Sequence, residues 1–237
     1  LRLHPGHATF AVDIRGRSAH SSRPSLGLSA ISLAVEAACA IEAWAMELAQ
    51  APAFSEFLDT PHTLVNLGRI QGGSAVNIVA ERCTLEIGVR PLPGLVVDDL
   101  EQQLLDRLAA LDSRARAAGG AVSLRRLQRA DALLTSASCD HMALLQDCAR
   151  RADRNPEPCG APFATDGGNL ARLGLEPLVF GPGSIDLAHR PDEYIETVDL
   201  LKAQRLVADL IHARCFAHPV LPAPLSPAAV RDTLAHR

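Results

Sequence analysis

The sequence runs to 237 residues, of which 48% are hydrophobic, and carries a formal net charge of −4. A chain of that size and composition can bury one good core or two smaller ones, which excludes a disordered tail. With charged residues at 21% and so small an imbalance, nothing electrostatic favours nucleic acid or an anionic membrane as a partner, and a small polar substrate fits better.

The longest apolar stretch, 28–49, is interrupted by Glu36, Glu42 and Glu47. Crossing a bilayer there would bury carboxylates in hydrocarbon, so the three glutamates read as the solvated face of a helix. Cys39, Cys83, Cys139, Cys148, Cys159 and Cys215 form no C-x-x-C pair, and a chain this long does not need disulfide staples. The sequence opens at Leu1 without a charged-apolar-small signal segment. A soluble, cytoplasmic protein with reduced thiols is expected, and a truncated one is considered from the outset.

In chain order, Ala8, Phe10, Val12 and Ile14 alternate with Thr9, Asp13 and Arg15, the pattern of a half-buried strand. After the Ser-rich turn 18–25, the spacing Ile31, Val35, Ala38, Ile41, Ala45, Leu48 predicts a helix with one buried stripe. Pro52 and Pro61 bound a loop. A strand over 63–70, the turn Gln71-Gly72-Gly73, and a second run with Cys83, Leu85, Ile87 and Val89 on one face predict an antiparallel pair.

Pro91 and Pro93 end that pair. Val97, Leu100, Leu104, Leu108 and Leu111 then predict a second amphipathic helix closed by Gly119-Gly120, with a fourth strand over 121–127. The order strand, helix, strand, strand, helix, strand is that of a split β-α-β unit, a four-stranded antiparallel sheet with two helices on one face. Beyond Ala130 come a helix around 139–152, a Pro/Gly loop over 155–162, a short helix capped by Thr165-Asp166, and the apolar run Leu178-Val179-Phe180. That run suits a parallel strand buried on both faces, with a buried helical turn as the alternative. Thr197 is expected to cap a last helix over 198–215, and the Pro-rich end 219–227 reads as a loosely held tail. This second region has too few strands for an α/β sheet of its own and looks like the closing part of a larger domain.

The chemistry is expected after the buried strand, in Gly181-Pro182-Gly183-Ser184-Ile185-Asp186-Leu187-Ala188-His189. Ligands in α/β sheets bind beyond the carboxyl ends of strands, where glycines let backbone amides approach them. Neutral imidazole is a common zinc ligand, and Asp192 or Glu193 is close enough in sequence to orient the His189 ring. On residue chemistry alone, a lone loop histidine is more often exposed or structural.

The phrase GPGSIDLAHRPDEYIE, with GHATFAVDIRGRSAHSSRPSLGLSAI, LVNLGRIQGGSAVNIVAERCTLEIGVRPLPG and ATDGGNLARLG, resembles the dinuclear-zinc family that includes acetylornithine deacetylase, succinyl-diaminopimelate desuccinylase, aminoacylase and glutamate carboxypeptidases. The stretches come in the family's order and span about Gly6 to Cys215. The resemblance implies a lid or dimerisation domain over 5–130, the closing part of an α/β zinc-peptidase catalytic domain over 131–216, and a tail over 217–237. It also implies a homodimer through the lid. His20, in SAHSS, matches the histidine that enters the partner's active site and steadies the oxyanion of the tetrahedral intermediate.

Asn77 matches a lid asparagine that contacts substrate, and Arg90 an arginine that pairs with its carboxylate. Gly183 and Ser184 match positions that hold that carboxylate, and His189 a zinc ligand. Without the family, a turn histidine, a turn asparagine and a strand arginine would each be ordinary surface residues. Pro5 departs from the pattern where relatives often carry a basic residue.

The implied activity is hydrolysis of an N-acyl amino acid, foremost N2-acetylornithine, with desuccinylase, aminoacylase or carboxypeptidase activity as alternatives. The family employs two zinc ions, with cobalt as a substitute, and a glutamate base. Its His-x-Asp, Glu-Glu and further acidic ligands have no match here, so this chain alone is expected to be inactive and to bind zinc weakly or not at all. A non-catalytic dimerisation module from a truncated gene is the rival reading.

Overall fold

The computed structural model describes residues 1–216, and the expected tail over 217–237 lies outside the described residues. The chain divides into two compact units. One joins Leu1–Thr135 to Cys159–Pro177, and the other joins Ser136–Pro158 to the chain from Leu178 onward. No helix among the described residues is long and apolar enough to cross a membrane.

The first unit is built on β2 (His7–Arg15), α1 (Ala30–Ala49), β3 (Leu64–Gly72), β4 (Arg82–Arg90), α2 (Val97–Ala117) and β5 (Ala121–Ala130). A shorter strand, β1 (Leu3–His4), precedes them and β6 (Leu133–Leu134) follows. The sheet order is β3-β4-β2-β5, antiparallel throughout, as the split β-α-β reading requires. Phe10 lies opposite Ile87 and Val12 opposite Leu85, so the period-2 pattern of both strands turns to one face. There α1 and α2 cover it, and Phe10, Val12, Ile41, Trp44, Leu85, Ile87, Leu100 and Leu104 are fully buried.

The stripe that α1 buries differs from the expected one. Ala30, Leu33, Ala34, Ala37, Ile41 and Trp44 face the sheet, while Ile31 and Val35 are exposed. Helix α1 is apolar around most of its circumference, so several registers satisfy a three-four spacing. The bulk of Trp44, fully buried with its Nε1–H donating to Gln103 Oε1 at 2.9 Å, selects the one that forms. Helix α1 is capped by Ser29, whose Oγ accepts from the Ser32 N–H at 3.2 Å. Helix α2 buries its expected leucines and ends at Gly119, whose φ of +83° is the left-handed turn that glycine adopts without strain.

The two sheet edges differ. At β5 a register shift and a run of arginines disturb the strand, with Arg126 and Arg129 drawn onto Asp98 of α2. Those guanidiniums, Arg126 first, hold the Asp98 carboxyl below its usual pKa. At the other edge β3 is mostly exposed, with Leu64 and Ile70 in the open and Arg69 paired inward to Glu86.

The two-stranded β1–β6 pair was not anticipated, because two residues carry no readable periodicity. It buries His4 completely. The His4 Nε2 accepts from the Thr165 backbone N–H at 3.3 Å and lies 2.9 Å from Thr165 Oγ1, so the ring hydrogen sits on Nδ1, 2.9 Å from the Pro5 carbonyl. Burial lowers the His4 pKa from its usual value. Thr165 Oγ1 in turn accepts from the Gly167 N–H at 3.1 Å, which starts α4 (Gly167–Arg172) as the sequence suggested. Gly168 brings that helix onto the chain: a Cβ there would meet Asp131 O at 1.7 Å.

In the second unit α3 (Asp140–Arg151) packs on α5 (Thr197–Cys215) around Cys148, Ala149, Ala152 and Leu206. Two expectations fail here. Glu196, not Thr197, is the residue before α5, and no side chain caps it, so Thr197 is already inside the first turn. Leu178-Val179-Phe180 forms no strand: no ladder among the described residues includes it, and Phe180 is 44% exposed. An apolar run becomes a strand only when another strand takes up its backbone groups.

Candidate functional site

His20 and Asn77 lie on two loops that leave the same end of the sheet, one after β2 and one after β3. Backbone pairing binds these loops together. His20 bridges Ile78 antiparallel, the Ser21 N–H donates to Asn77 O at 2.9 Å, and the Val79 N–H donates to Ala19 O at 2.9 Å. Two exposed polar residues 57 positions apart are thereby fixed side by side on a rigid frame. The His20 carbonyl accepts from the Arg23 N–H at 2.8 Å, closing the turn that carries the ring.

The ring itself is oriented. His20 Nδ1 accepts from the Ser22 backbone N–H at 3.2 Å and lies 2.8 Å from Ser22 Oγ. With Nδ1 accepting, the neutral ring carries its hydrogen on Nε2 and presents a donor to whatever lies in front of it. Sequence reasoning passed over Ser22. The signal was present in SAHSS, a hydroxyl two residues after a histidine at the start of a turn, a spacing that favours local side-chain hydrogen bonds.

Arg90 stands apart. It ends β4 opposite Leu64, while the His20 and Asn77 loops adjoin the other end, where Arg15 pairs with Arg82. Eight residue steps of strand separate Arg82 from Arg90, roughly 27 Å. The sheet therefore brings His20 and Asn77 together and keeps Arg90 away from both.

Gly183, Ser184 and His189 belong to the second unit. Gly183 has φ +88°. Ser184 Oγ accepts from the Asp186 N–H at 3.2 Å and donates to Asp186 Oδ2 at 3.3 Å, capping a single helical turn over Ile185–Leu187. His189 is exposed at φ +61°, and Asp192 follows at +63°. Two non-glycine residues in the left-handed region within four positions mark a strained loop, a kind of strain found disproportionately at binding sites. Glu193 does hold His189, but through the backbone: its Oε2 accepts from the His189 N–H at 3.1 Å. The expectation that Asp192 or Glu193 orients the imidazole is thus corrected, since the carboxylate tightens the loop rather than the ring.

The described residues do not by themselves fit a zinc centre. Among them no three His, Cys, Asp or Glu side chains gather as a ligand set, and His189 is one exposed imidazole where such a centre draws on three or four protein ligands.

Residues 2–116, from β1 almost to the end of α2, match the family described as the peptidase dimerisation domain. Over 216 residues the chain is 33% identical to an acetylornithine deacetylase of Pasteurella multocida, and over 217 residues 32% identical to one of Erwinia tasmaniensis. Each alignment covers 91% of this chain and 54% of the relative, so the chain spans about half the length of the curated relatives it matches. Among solved structures, aminopeptidase PepT of Bacillus cereus aligns with a TM-score of 0.64 at 23% identity, over 89% of this chain and 52% of that one. A tripeptidase of Staphylococcus aureus aligns at 0.62 and 21% identity, over 90% and 52%. At these identities the solved structures speak to the fold alone. With its sheet, its two covering helices and this match in place, residues 2–116 are similar to the peptidase dimerisation domain.

Proposed function

We propose that the chain is part of a metal-dependent amidohydrolase that removes the acyl group from an N-acyl amino acid, with N2-acetylornithine the first substrate to test. The deacetylase names of its relatives support that substrate. The observation that carries the reading is the locked pair of His20 and Asn77, with His20 Nδ1 accepting from the Ser22 N–H so that the neutral ring carries its hydrogen on Nε2. A donor held rigidly before reaction is what stabilises the charge that develops on an amide oxygen under attack. Asn77 offers both a donor and an acceptor to the substrate beside it. Residues 5–130 act as the lid and 131–216 as part of the catalytic domain, in which Gly183 and Ser184 hold the substrate carboxylate and His189 is one zinc ligand. The remaining ligands must come from outside the described residues, and this chain alone is inactive.

The place of Arg90 at the far end of the sheet from the His20 loop supports a lid that works in pairs. A substrate the size of acetylornithine cannot span the roughly 27 Å of strand between Arg90 and the end of β4 that adjoins those loops, so one site takes Arg90 from one copy and His20 with Asn77 from another. Exposed Ile31 and Val35 of α1, beside the open edge at β3, offer the surface for that pairing.

The test is hydrolysis of N2-acetylornithine, with zinc or cobalt, by the longest polypeptide the gene encodes. His20→Ala should lower kcat by about 10²–10³ with KM little changed. Co-expressing His20→Ala with Arg90→Ala should restore turnover, because mixed pairs keep one unaltered site. An effect of His20→Ala confined to KM, or mixed pairs as inactive as their parents, would rule the reading out.

A further inference from the structure

We propose that Ser22 is a positioning residue for His20, holding its ring in the tautomer with hydrogen on Nε2. The proposal rests on the reading of His20 as an oxyanion donor, but its physical content is separate from turnover. Two donors from one residue converge on a single ring nitrogen: the Ser22 backbone N–H at 3.2 Å and, at 2.8 Å, its hydroxyl. With a hydrogen already directed at Nδ1 from the backbone, the hydroxyl can satisfy that nitrogen only by donating as well. A hydrogen on Nδ1 would face the Ser22 N–H and break that bond.

The frame around the ring makes the arrangement specific to this turn. The backbone of residues 19–21 is tied to 77–79 by the Ser21 N–H to Asn77 O and Val79 N–H to Ala19 O bonds, and the turn is closed by Arg23 N–H to His20 O. The ring is therefore held at both ends, its backbone by the neighbouring loop and its Nδ1 by Ser22. Among the described residues nothing bonds to His20 Nε2, which leaves that hydrogen available in front of an exposed ring. A histidine that must donate to a developing oxyanion loses its function in the other tautomer, which would turn a lone pair toward negative charge. Each hydrogen bond on Nδ1 biases the tautomer ratio by about fivefold, so the pair acts well beyond what a freely rotating ring would supply.

The experiment uses this chain, all 237 residues, with ¹⁵N-labelled histidine at a pH where the rings are neutral. The ring nitrogens are read by long-range ¹H–¹⁵N correlation, and His20→Ala assigns their signals. The expected result is an unprotonated Nδ1 and a protonated Nε2 in the wild type and in Ser22→Thr, which keeps both donors. Ser22→Asp replaces the hydroxyl donor with an acceptor and should draw hydrogen onto Nδ1, with backbone signals outside the two loops unchanged. A protonated Nδ1 in the wild type, or a Ser22→Asp spectrum identical to it, would overturn the proposal. Because no turnover is measured, a failed deacetylation assay leaves this result standing, and a failed tautomer result leaves the activity reading to its own test.

Discussion

The first unit shuts a large set of apolar residues behind a sheet, whereas the second, among the described residues, buries few of its own. Phe10, Trp44, Leu85, Ile87 and Leu104 have no more than 2% exposure in the former. In the latter, α3 and α5 bury little besides Cys148, Ala149, Ala152 and Leu206, while Leu200, Val207 and Ile211 stay 40–54% exposed along one face of α5. The difference lies in how much apolar surface each unit's described elements cover for one another. Every strand and helix of the first sheet meets its neighbours within about 120 residues of chain, so local pattern and final packing agree. Among the described residues α5 keeps an apolar face exposed, and the run Leu178-Val179-Phe180 joins no ladder.

The contrast can be broken most sharply at the sheet. The chain's one tryptophan, Trp44, lies in the first core, so its fluorescence reports that unit alone. Phe10→Ala should lower the urea stability seen by Trp44 by about 3–5 kcal/mol, and Leu206→Ala should leave that transition where it is. If Leu206→Ala moves it equally, the two units do not unfold independently.

A smaller effect is expected within the first unit, where α4 meets the chain just after β5. Gly168→Ala places a methyl against the Asp131 carbonyl and should cost about 3 kcal/mol. Amides over 159–177 should then exchange faster with solvent while those of β2 and β4 keep their protection. Unchanged exchange would mean that the helix docks without this close approach.

The smallest is electrostatic. Burial depresses the His4 pKa below 6.5, so as pH falls through 6.5 the unfolded chain takes up the proton first and folding loses stability. The loss continues down to the depressed folded-state pKa and levels off below it. The urea midpoint followed through Trp44 should decline over this window, and His4→Gln, which keeps an acceptor for Thr165 but does not titrate, should flatten that part of the curve. An equally steep decline in His4→Gln would assign it to other groups.

How much of this was legible in the sequence follows the same divide. The alternation of Ala8, Phe10, Val12 and Ile14 and the leucines of α2 gave the sheet and one helix directly, since period 2 and period 3.6 each had one reading. Helix α1 was found but turned to the wrong stripe, because an apolar circumference has no single buried side until Trp44 is seated. The pair β1–β6, joined across some 130 positions, was beyond any local pattern. At the site, His20 and Asn77 could be named from their motifs, yet the bond from Ser21 to Asn77 that joins them, and the bond from Ser22 that turns the ring, are facts of three dimensions. Glu193 was noticed for the wrong target, since sequence adjacency does not say whether a carboxylate will find a ring or a backbone N–H.

The unequal rims of the sheet set a limit on growth. At β5 the misaligned register and the guanidiniums tethered to Asp98 make a poor template for a foreign strand, while among the described residues β3 pairs with β4 alone. A surface that accepts an addition on one flank only cannot propagate, because two copies meeting there leave no receptive flank for a third. Through this sheet alone, strand addition would therefore end with two copies.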